Sequence, residues 1–328
     1  MSFQNSLAVL DVGHGNCAVV HDAGAIVVID AGRRRGLLEF LASESITRID
    51  VVLISHADAD HIGGLLAILD NVDIDIGEVR LNTDSVKESE LWQDVLWSIE
   101  QRRRSRELIF HVGLSVSDSG AFDQENVGIE ILGPSPYLAA RGPGSTDQEG
   151  RRLTHNTISA VIRITWSGEP IALLTGDLDE IGLAHLEAEG VDASAPILVF
   201  PHHGGNPGTG DVDSFTQKLY DLVSPSTVLF SIGRNSSHTF PRPDIVARLR
   251  GIRSDLRIVC TQLSKHCALS SPDARPGYLS SYAMGAEKGK CCGGTIVIPF
   301  ENIAAISPNP QAHQEFISQA APSALCMS

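Results

Sequence analysis

Two hydrophobic patterns alternate along this chain: short apolar runs, and longer runs in which apolar residues recur every three or four positions. Short runs bounded by glycines predict three strands near the N terminus, over 7–12, 17–21 and 26–30. Later runs of the same kind predict strands over 49–55, 77–81, 108–112, 128–132, 157–166, 171–175, 197–200, 227–232, 256–260 and 294–300. Helical spacing predicts helices over 35–45, 88–104, 180–189, 212–222 and 244–251. Two halves of similar strand and helix content predict an α/β protein in which two sheets face each other.

The same pattern predicts one domain over residues 1–305. It contains an insertion at about 261–293 that separates the last two strands and is rich in Gly, Ser and Pro. The loop over 133–153 is polar and interrupted by glycines and prolines, so we expect it not to pack. The tail over 306–328 is polar with scattered prolines, and we expect it to be disordered.

Candidate metal ligands follow the strand over 49–55, in the segment S-H-A-D-A-D-H. His56 and Asp58 are two positions apart, and in an extended segment such residues point to the same side. Asp60 and His61 follow where the chain turns into a helix, and they are directed at a second point. Imidazole and carboxylate groups at this density predict two divalent cations about 3.5–4 Å apart. The alternative is that an aspartate here merely caps the helix.

The segment S-H-A-D-A-D-H-I-G-G resembles the H-x-[HD]-x-D-H signature of the metallo-β-lactamase superfamily. Its Asp at the third position is typical of the metallo-β-lactamase-like domain of the ComEC competence-protein family. Two segments before this signature and three after it match blocks of that family in the same order. They are D-V-G-H-G-N-C-A-V-V and I-V-V-I-D-A-G before it, and L-L-T-G-D, H-H-G-G and S-I-G-R-N after it. The resemblance implies an αββα four-layer sandwich and a pair of divalent ions, Zn or Mn.

The matching blocks imply further ligands at strand ends. Asp177 in L-L-T-G-D is expected to bridge the two ions. Successive residues point to opposite sides, so only one histidine of H-H-G-G faces the metals; we expect His203. One ion is then held by His56, Asp58, Asp177 and either His155 or Asn156, and the other by Asp60, His61, Asp177 and His203.

Other residues of these blocks are expected to face the substrate. His14 stands where the family usually has Gln, and His238 lies two residues before Phe240, which replaces a usual His. His202, Asn156 and Asn235 complete this expected set of substrate contacts. Asp60 and His238 are the expected catalytic groups, with Asp60 also taking part in proton transfer. For His14 and His238 the alternative is a surface histidine without a role.

Charge and hydropathy limit the possible partners. The net charge of −15 argues against a broadly basic surface for nucleic acid. Two basic runs stand out: residues 33–35 directly after the D-A-G turn, and residues 102–104. Solvated helix faces or ends are the favoured explanation for residues 102–104. For residues 33–35 that explanation and a functional role both stay open, because the turn before them should lie on the metal-bearing side. The sequence shows no apolar run of membrane-spanning length and no signal peptide, so we expect a cytoplasmic protein without membrane contact.

The chain has six cysteines, four of them close together near the C-terminal end. Cys260, Cys267, Cys291 and Cys292 provide enough soft ligands for a structural zinc, although their spacing is not C-x-x-C. Reduced thiols are the main alternative, and a disulfide is a third.

These observations predict a metal-dependent hydrolase in which two metal ions activate a hydroxide. We expect a phosphodiesterase or nuclease acting on single-stranded nucleic acid or a nucleotide. An acyl-bond hydrolase such as a lactonase is one alternative, and a non-catalytic binding or regulatory module is another. The sequence predicts neither partner proteins nor the oligomeric state.

Overall fold

A computed structural model describes the chain over residues 3–82, 89–208, 210–234, 238–270, 275–279, 281–286 and 289–327. Its strands are β1 Ser6–Val9, β2 Cys17–Asp22, β3 Ala25–Ala31, β4 Arg48–Ile54, β5 Asp75–Leu81, β6 Ile109–Val112, β7 Val127–Gly133, β8 Val161–Trp166, β9 Glu169–Leu174, β10 Ile197–Val199, β11 Thr227–Phe230, β12 Arg257–Cys260 and β13 Ile296–Pro299. Its helices are α1 Gly36–Ser43, α2 Ala59–Ile62, α3 Leu65–Leu69, α4 Glu90–Arg104, α5 Pro136–Arg141, α6 Glu180–Glu189, α7 Val212–Val223, α8 Pro243–Ile252 and α9 Pro310–Ala320.

The described strands form two sheets with related topologies. One sheet has the order β13-β1-β2-β3-β4-β5-β6, and the other has the order β12-β11-β10-β9-β8-β7. Each begins with antiparallel hairpins and continues with parallel strands, β3 to β6 in the first sheet and β9 to β12 in the second. Parallel strands present their carboxyl ends at one edge, and this edge carries the metal-binding segment after β4.

Alternation along the strands explains the four layers. In β3, Val27 and Ile29 point into the core between the sheets, and Val28 points into the core under α1, α3 and α4. The second sheet does the same: Ile162 faces the first sheet, and Leu198 faces the outer helices α6 to α9. The predicted αββα sandwich is therefore confirmed.

Two segments expected to be loose are packed. The tail forms α9, in which Ile317 is fully buried against the outer core of the second sheet. Its few apolar residues are spaced so that they fall on one face, and a search for long apolar runs misses them. Within the loop over 133–153, α5 buries Leu138 against Leu153 and Ile158. Among the described helices, none has the length and apolar character needed to cross a bilayer.

Candidate metal centre

The candidate metal centre lies where five parallel strands end. His56 follows β4, Asp177 follows β9 and His203 follows β10. Asp30 lies at the end of β3, and Ser231 follows β11. Residues as far apart in sequence as Asp30 and Ser231 therefore meet, because the carboxyl ends of these strands lie at one edge of the sandwich.

The first group of ligands consists of His56, His61 and Asp177. Their ligand atoms lie within 4.8 Å of one another, and all three residues are buried. The Asp177 carboxylate is 3.2 Å from His61 Nε2 through Oδ1 and 3.8 Å from His56 Nε2 through Oδ2. This arrangement of two imidazoles and a carboxylate suits a borderline divalent cation.

The second group consists of His14, Asp60 and His203, again with ligand atoms within 4.8 Å of one another. Asp60 Oδ2 lies 3.2 Å from His14 Nε2 and 3.3 Å from His203 Nε2. Asp177 Oδ1 is also 3.7 Å from His203 Nε2, so this carboxylate contacts both groups. That position is the one expected of a bridging ligand.

Hydrogen bonds to the far side of the imidazoles fix their orientation. His61 Nδ1 is 2.7 Å from Asp30 Oδ2, and His203 Nδ1 donates to the Ser231 carbonyl at 2.7 Å. Ser55 donates to the same Asp30 carboxylate through its amide and its hydroxyl, both at 2.8 Å. Such contacts set the tautomer so that Nε2 keeps its lone pair for a metal. Asp30 was not among the predicted site residues, although the block I-V-V-I-D-A-G contains it.

Electrostatics within the centre favour charged carboxylates. Burial raises the pKa of Asp177, but its interactions with His61, His203 and His202 outweigh this effect and hold that pKa well below the usual value. Burial likewise opposes ionisation of Asp60, and contacts with His203 and His61 leave its pKa lowered. Burial, reinforced by His203, lowers the pKa of His14 to about 4, so this imidazole is neutral at pH 7.

The donor atoms also fit cations because some of them are buried without a hydrogen bond. Nε2 of His61, Nε2 of His203 and Oδ1 of Asp177 have no hydrogen-bond partner among the described residues. Buried polar atoms are normally paired, because leaving them unsatisfied costs about 1–3 kcal/mol each. Here they converge on shared points, as ligands of metal ions do.

The structure divides the predicted ligands differently from the sequence analysis. His61 groups with His56 rather than with Asp60, and His14 joins Asp60 instead of serving only as a substrate contact. Neither group includes Asp58 or His155. Asp58 Oδ2 lies 3.5 Å from His56 Nε2 with about a third of its side chain exposed, at the rim of the first group. The helical turn after Asp58 directs Asp60 and His61 toward different groups, whereas the sequence predicted that both point at the same second ion.

The expected substrate-facing residues surround the two groups. His202 Nδ1 lies 3.1 Å from Asp177 Oδ2 and 3.3 Å from Asn156 Nδ2. The ring of His238 stacks on Phe240 at 5.5 Å, and Phe240 stacks on His14 at 5.7 Å. Asn235 lies outside the described residues.

Of the cysteines proposed as zinc ligands, Cys260, Cys267 and Cys292 line one small pocket together with Cys326, whereas Cys291 points elsewhere. Cys291 Sγ donates to Asp11 Oδ2 at 3.5 Å, while Cys292 Sγ lies 3.2 Å from His313 Nε2. Cys291 forms an isolated β-bridge with Gln262, and adjacent residues of such an extended segment point to opposite sides. This separates the thiols of Cys291 and Cys292. All six cysteines are free, and among the described residues the cysteines form no group of metal-ligand geometry.

Comparison with known proteins places the chain beside two competence proteins. Competence protein ComA of Neisseria gonorrhoeae is 24% identical over 261 residues, which cover 76% of this chain and 31% of ComA. ComE operon protein 3 of Bacillus subtilis (strain 168) is 21% identical over 285 residues, covering 80% of this chain and 32% of that protein. The chain thus spans about a third of the length of these relatives.

Solved structures of other proteins align with this chain at low sequence identity. The metallo-beta-lactamase fold protein YhfI from Bacillus subtilis aligns over 78% of this chain and 95% of that chain, with 12% identity and a TM-score of 0.45. The family model of the metallo-beta-lactamase superfamily matches residues 10–183, more than half of the chain. This segment carries the ordered blocks from Asp11 to Asp177 that build most of the metal centre. The chain therefore belongs to the metallo-β-lactamase superfamily and has the ligand set of a metal-dependent hydrolase.

Proposed function

We propose that this protein hydrolyses phosphodiester bonds, with single-stranded nucleic acid or a nucleotide as its substrate. The observation that carries the proposal is the contact of one carboxylate, Asp177, with both ligand groups, at 3.2 Å from His61 and 3.7 Å from His203. Such adjacent cation sites are common in phosphatases and nucleases. The resemblance to the nuclease-like domain of the ComEC family supports the same substrate class.

The residues of the centre have separate tasks in this reaction. Divalent ions, when bound, lower the pKa of a coordinated water and stabilise charge on phosphoryl oxygens. Asp30 and Ser231 hold the imidazoles of His61 and His203 with Nε2 directed inward. The pKa of Asp60 is lowered, so its carboxylate is ionised and would hold a cation. His202, with about a third of its side chain exposed, lies at the open side where the leaving oxygen would depart.

The charge of the protein limits the form of the substrate. At −15, the surface as a whole repels a long polyanion, and sequence-independent binding of duplex DNA depends on neutralising many phosphates. For a nucleotide or a short single strand, the negative charge of the phosphates has to be neutralised only at the metal centre. We therefore expect small diesters and single strands to be turned over faster than duplex DNA.

The test measures hydrolysis of bis-p-nitrophenyl phosphate and of a lactone panel with added Mn²⁺ or Zn²⁺. Replacing Asp60→Ala together with His61→Ala should abolish diesterase activity. The control is Asp73→Ala with His111→Ala, which removes the same two side-chain types at exposed positions outside both groups. Diester hydrolysis that survives the first pair would contradict the assigned centre. Turnover of lactones but not of diesters would favour an acyl-bond hydrolase, and no turnover of either would favour a binding module.

A further inference from the structure

A pocket adjoins the metal centre on the side of His14. It has a volume of about 350 Å³, within the range of about 300–1,000 Å³ usual for small-molecule sites. Its lining includes His14, Arg33, Arg34, Gln262 and Lys290. His14 also contacts Asp60 at 3.2 Å, so the pocket and the metal centre share a wall. A molecule bound at the metals can therefore extend into this pocket.

The two arginines of the pocket differ from other arginines of the chain. Arg48, Arg80 and Arg163 each form ion pairs with two carboxylates. Within the described part of the chain, no ion pair is formed by Arg33 or Arg34, and both residues are exposed. In a protein with 40 acidic and 25 basic residues, this local excess of positive charge favours an anionic ligand.

The turn that carries these arginines is fixed against the metal-binding helix. The amide of Gly64, just after α2, donates to the Gly32 carbonyl at 2.9 Å. A Cβ added at Gly64 would collide with the Ala31 carbonyl, and one added at Gly32 would collide with the Val12 side chain. Arg34 itself has a φ of +60°, so the turn is tight. Close backbone packing thus holds the arginines in place relative to Asp60 and His61.

The opposite wall of the pocket is also held in place. Lys290 is fixed through its backbone, which donates to the Gly285 carbonyl at 2.8 Å and accepts from the Leu263 amide at 2.7 Å. Asp11 is a carboxylate behind this wall, but it is fully buried. Its oxygens already accept from Gln262 Nε2 at 2.7 Å and from the Gly285 amide at 2.8 Å. Among the residues that the structure describes, the pocket lining therefore includes the basic residues Arg33, Arg34 and Lys290 and no acidic residue.

We propose that this pocket, defined by Arg33, Arg34 and Lys290, binds the phosphate group next to the scissile one in a nucleotide strand. Guanidinium groups bind phosphate oxygens through paired, charge-assisted hydrogen bonds. The inference rests on the proposed diesterase function and names its substrate class: diesters that carry a second phosphate. It also assigns a role to the first basic run of the sequence.

The test compares two chromogenic substrates, thymidine 5′-(p-nitrophenyl phosphate) with and without a 3′-phosphate. Wild type should show the higher kcat/KM on the substrate with the 3′-phosphate. Arg33→Ala with Arg34→Ala should raise KM for that substrate by about tenfold, equal to ~1.4 kcal/mol, and leave hydrolysis of the other nearly unchanged. The control, Arg103→Ala with Arg104→Ala, removes the same charge from exposed residues on α4 that pair with Glu100.

An equal rise in KM for the 3′-phosphate substrate in the two double-arginine variants would show that only net charge matters. No rise in either variant would also overturn the proposal. Binding of thymidine 3′,5′-bisphosphate and thymidine 5′-monophosphate by calorimetry separates this inference from the proposed function. If wild type hydrolyses no diester yet binds the bisphosphate more tightly through Arg33 and Arg34, the diesterase proposal fails and the pocket stands. If diesters are hydrolysed without that preference, the pocket assignment alone fails.

Discussion

At the scale of single residues, the metal centre depends on backbone conformations that most side chains avoid. Asp30, His202 and His203 have φ values of +56°, +53° and +56°. A non-glycine residue in this left-handed region costs on the order of 1–2 kcal/mol, so packing and hydrogen bonds must hold it there. At these three positions the unusual φ turns the side chain toward the ligand groups just as a strand ends.

Replacing Asp30→Asn tests whether this carboxylate orients His61. The amide removes the negative charge that faces His61 Nδ1 at 2.7 Å, so we expect metal affinity and activity to fall by about 10–100-fold. Titration of Zn²⁺ or Mn²⁺ against a chromogenic chelator measures the affinity. Asp22→Asn is the control, because Asp22 is a buried carboxylate that binds the Asn126 and Val127 amides away from the metals. If both variants lost affinity equally, general destabilisation would explain the result.

At the scale of elements, α9 shows how sparse apolar residues stabilise a helix that composition alone does not predict. His313 and Ile317 are four positions apart and share the buried face. Asn309 caps the helix by accepting from the amides of Gln311 and Ala312. The face covers β12 and Cys292, which would otherwise be exposed at the outer surface of the second sheet.

Ile317→Ala should lower the free energy of unfolding by about 2–4 kcal/mol, because it leaves a cavity at a fully buried position. Urea denaturation followed by circular dichroism measures the change. Gln319→Ala, on the exposed face of the same helix, should change stability by less than about 0.5 kcal/mol. A tail that contributes nothing to the fold would instead make the two variants alike.

His313 should make stability depend on pH. Burial, with Arg257 nearby, lowers its pKa from 6.5 to about 4 in the folded protein. The unfolded chain then binds a proton that the folded chain does not, so this contribution is complete above pH 6.5 and decreases as the pH falls toward 4. The loss between pH 7.5 and pH 5 should be about 2 kcal/mol. Urea unfolding of His313→Gln at both pH values should show a smaller difference than wild type, and an unchanged difference would refute the assignment.

At the scale of the whole molecule, the metal centre joins the two sheets. The first sheet supplies His14, His56, Asp60 and His61, and the second supplies Asp177 and His203. Bound ions would therefore hold together two halves that otherwise meet through the apolar core between the sheets. A ligand that binds only the folded state stabilises it in proportion to the logarithm of its concentration over Kd.

Removing metal with a chelator should therefore destabilise the protein globally. At a metal concentration 100 times Kd, the stabilisation expected from one site is about 2.7 kcal/mol. Thermal unfolding with and without EDTA measures it. The variant Asp60→Ala with His61→Ala should respond little to EDTA, because it lacks a ligand from each group. An equal response in the variant would place the stabilising metal elsewhere.

Much of this architecture was predictable because it rests on local patterns. The apolar runs of β3 and β4 predicted the strands, and the H-x-D-x-D-H segment predicted metal ligands. The packing of α5 and α9 was not predictable in this way. Their buried residues are few, and whether they find partners depends on surfaces formed by distant strands, as with Ile317 against the second sheet.

The sequence by itself determined the layered α/β fold, the superfamily, and the residue types that gather at the metals, because each depends on short-range periodicity or on contiguous blocks. Only the tertiary structure decided how the ligands divide between the two groups, that Asp30 orients His61, that Cys291 faces Asp11, and that Arg33 and Arg34 line a pocket beside His14. These outcomes depend on the directions of side chains at the ends of different strands. Such directions are set when the sheets pack and their turns close, not by neighbours in the chain.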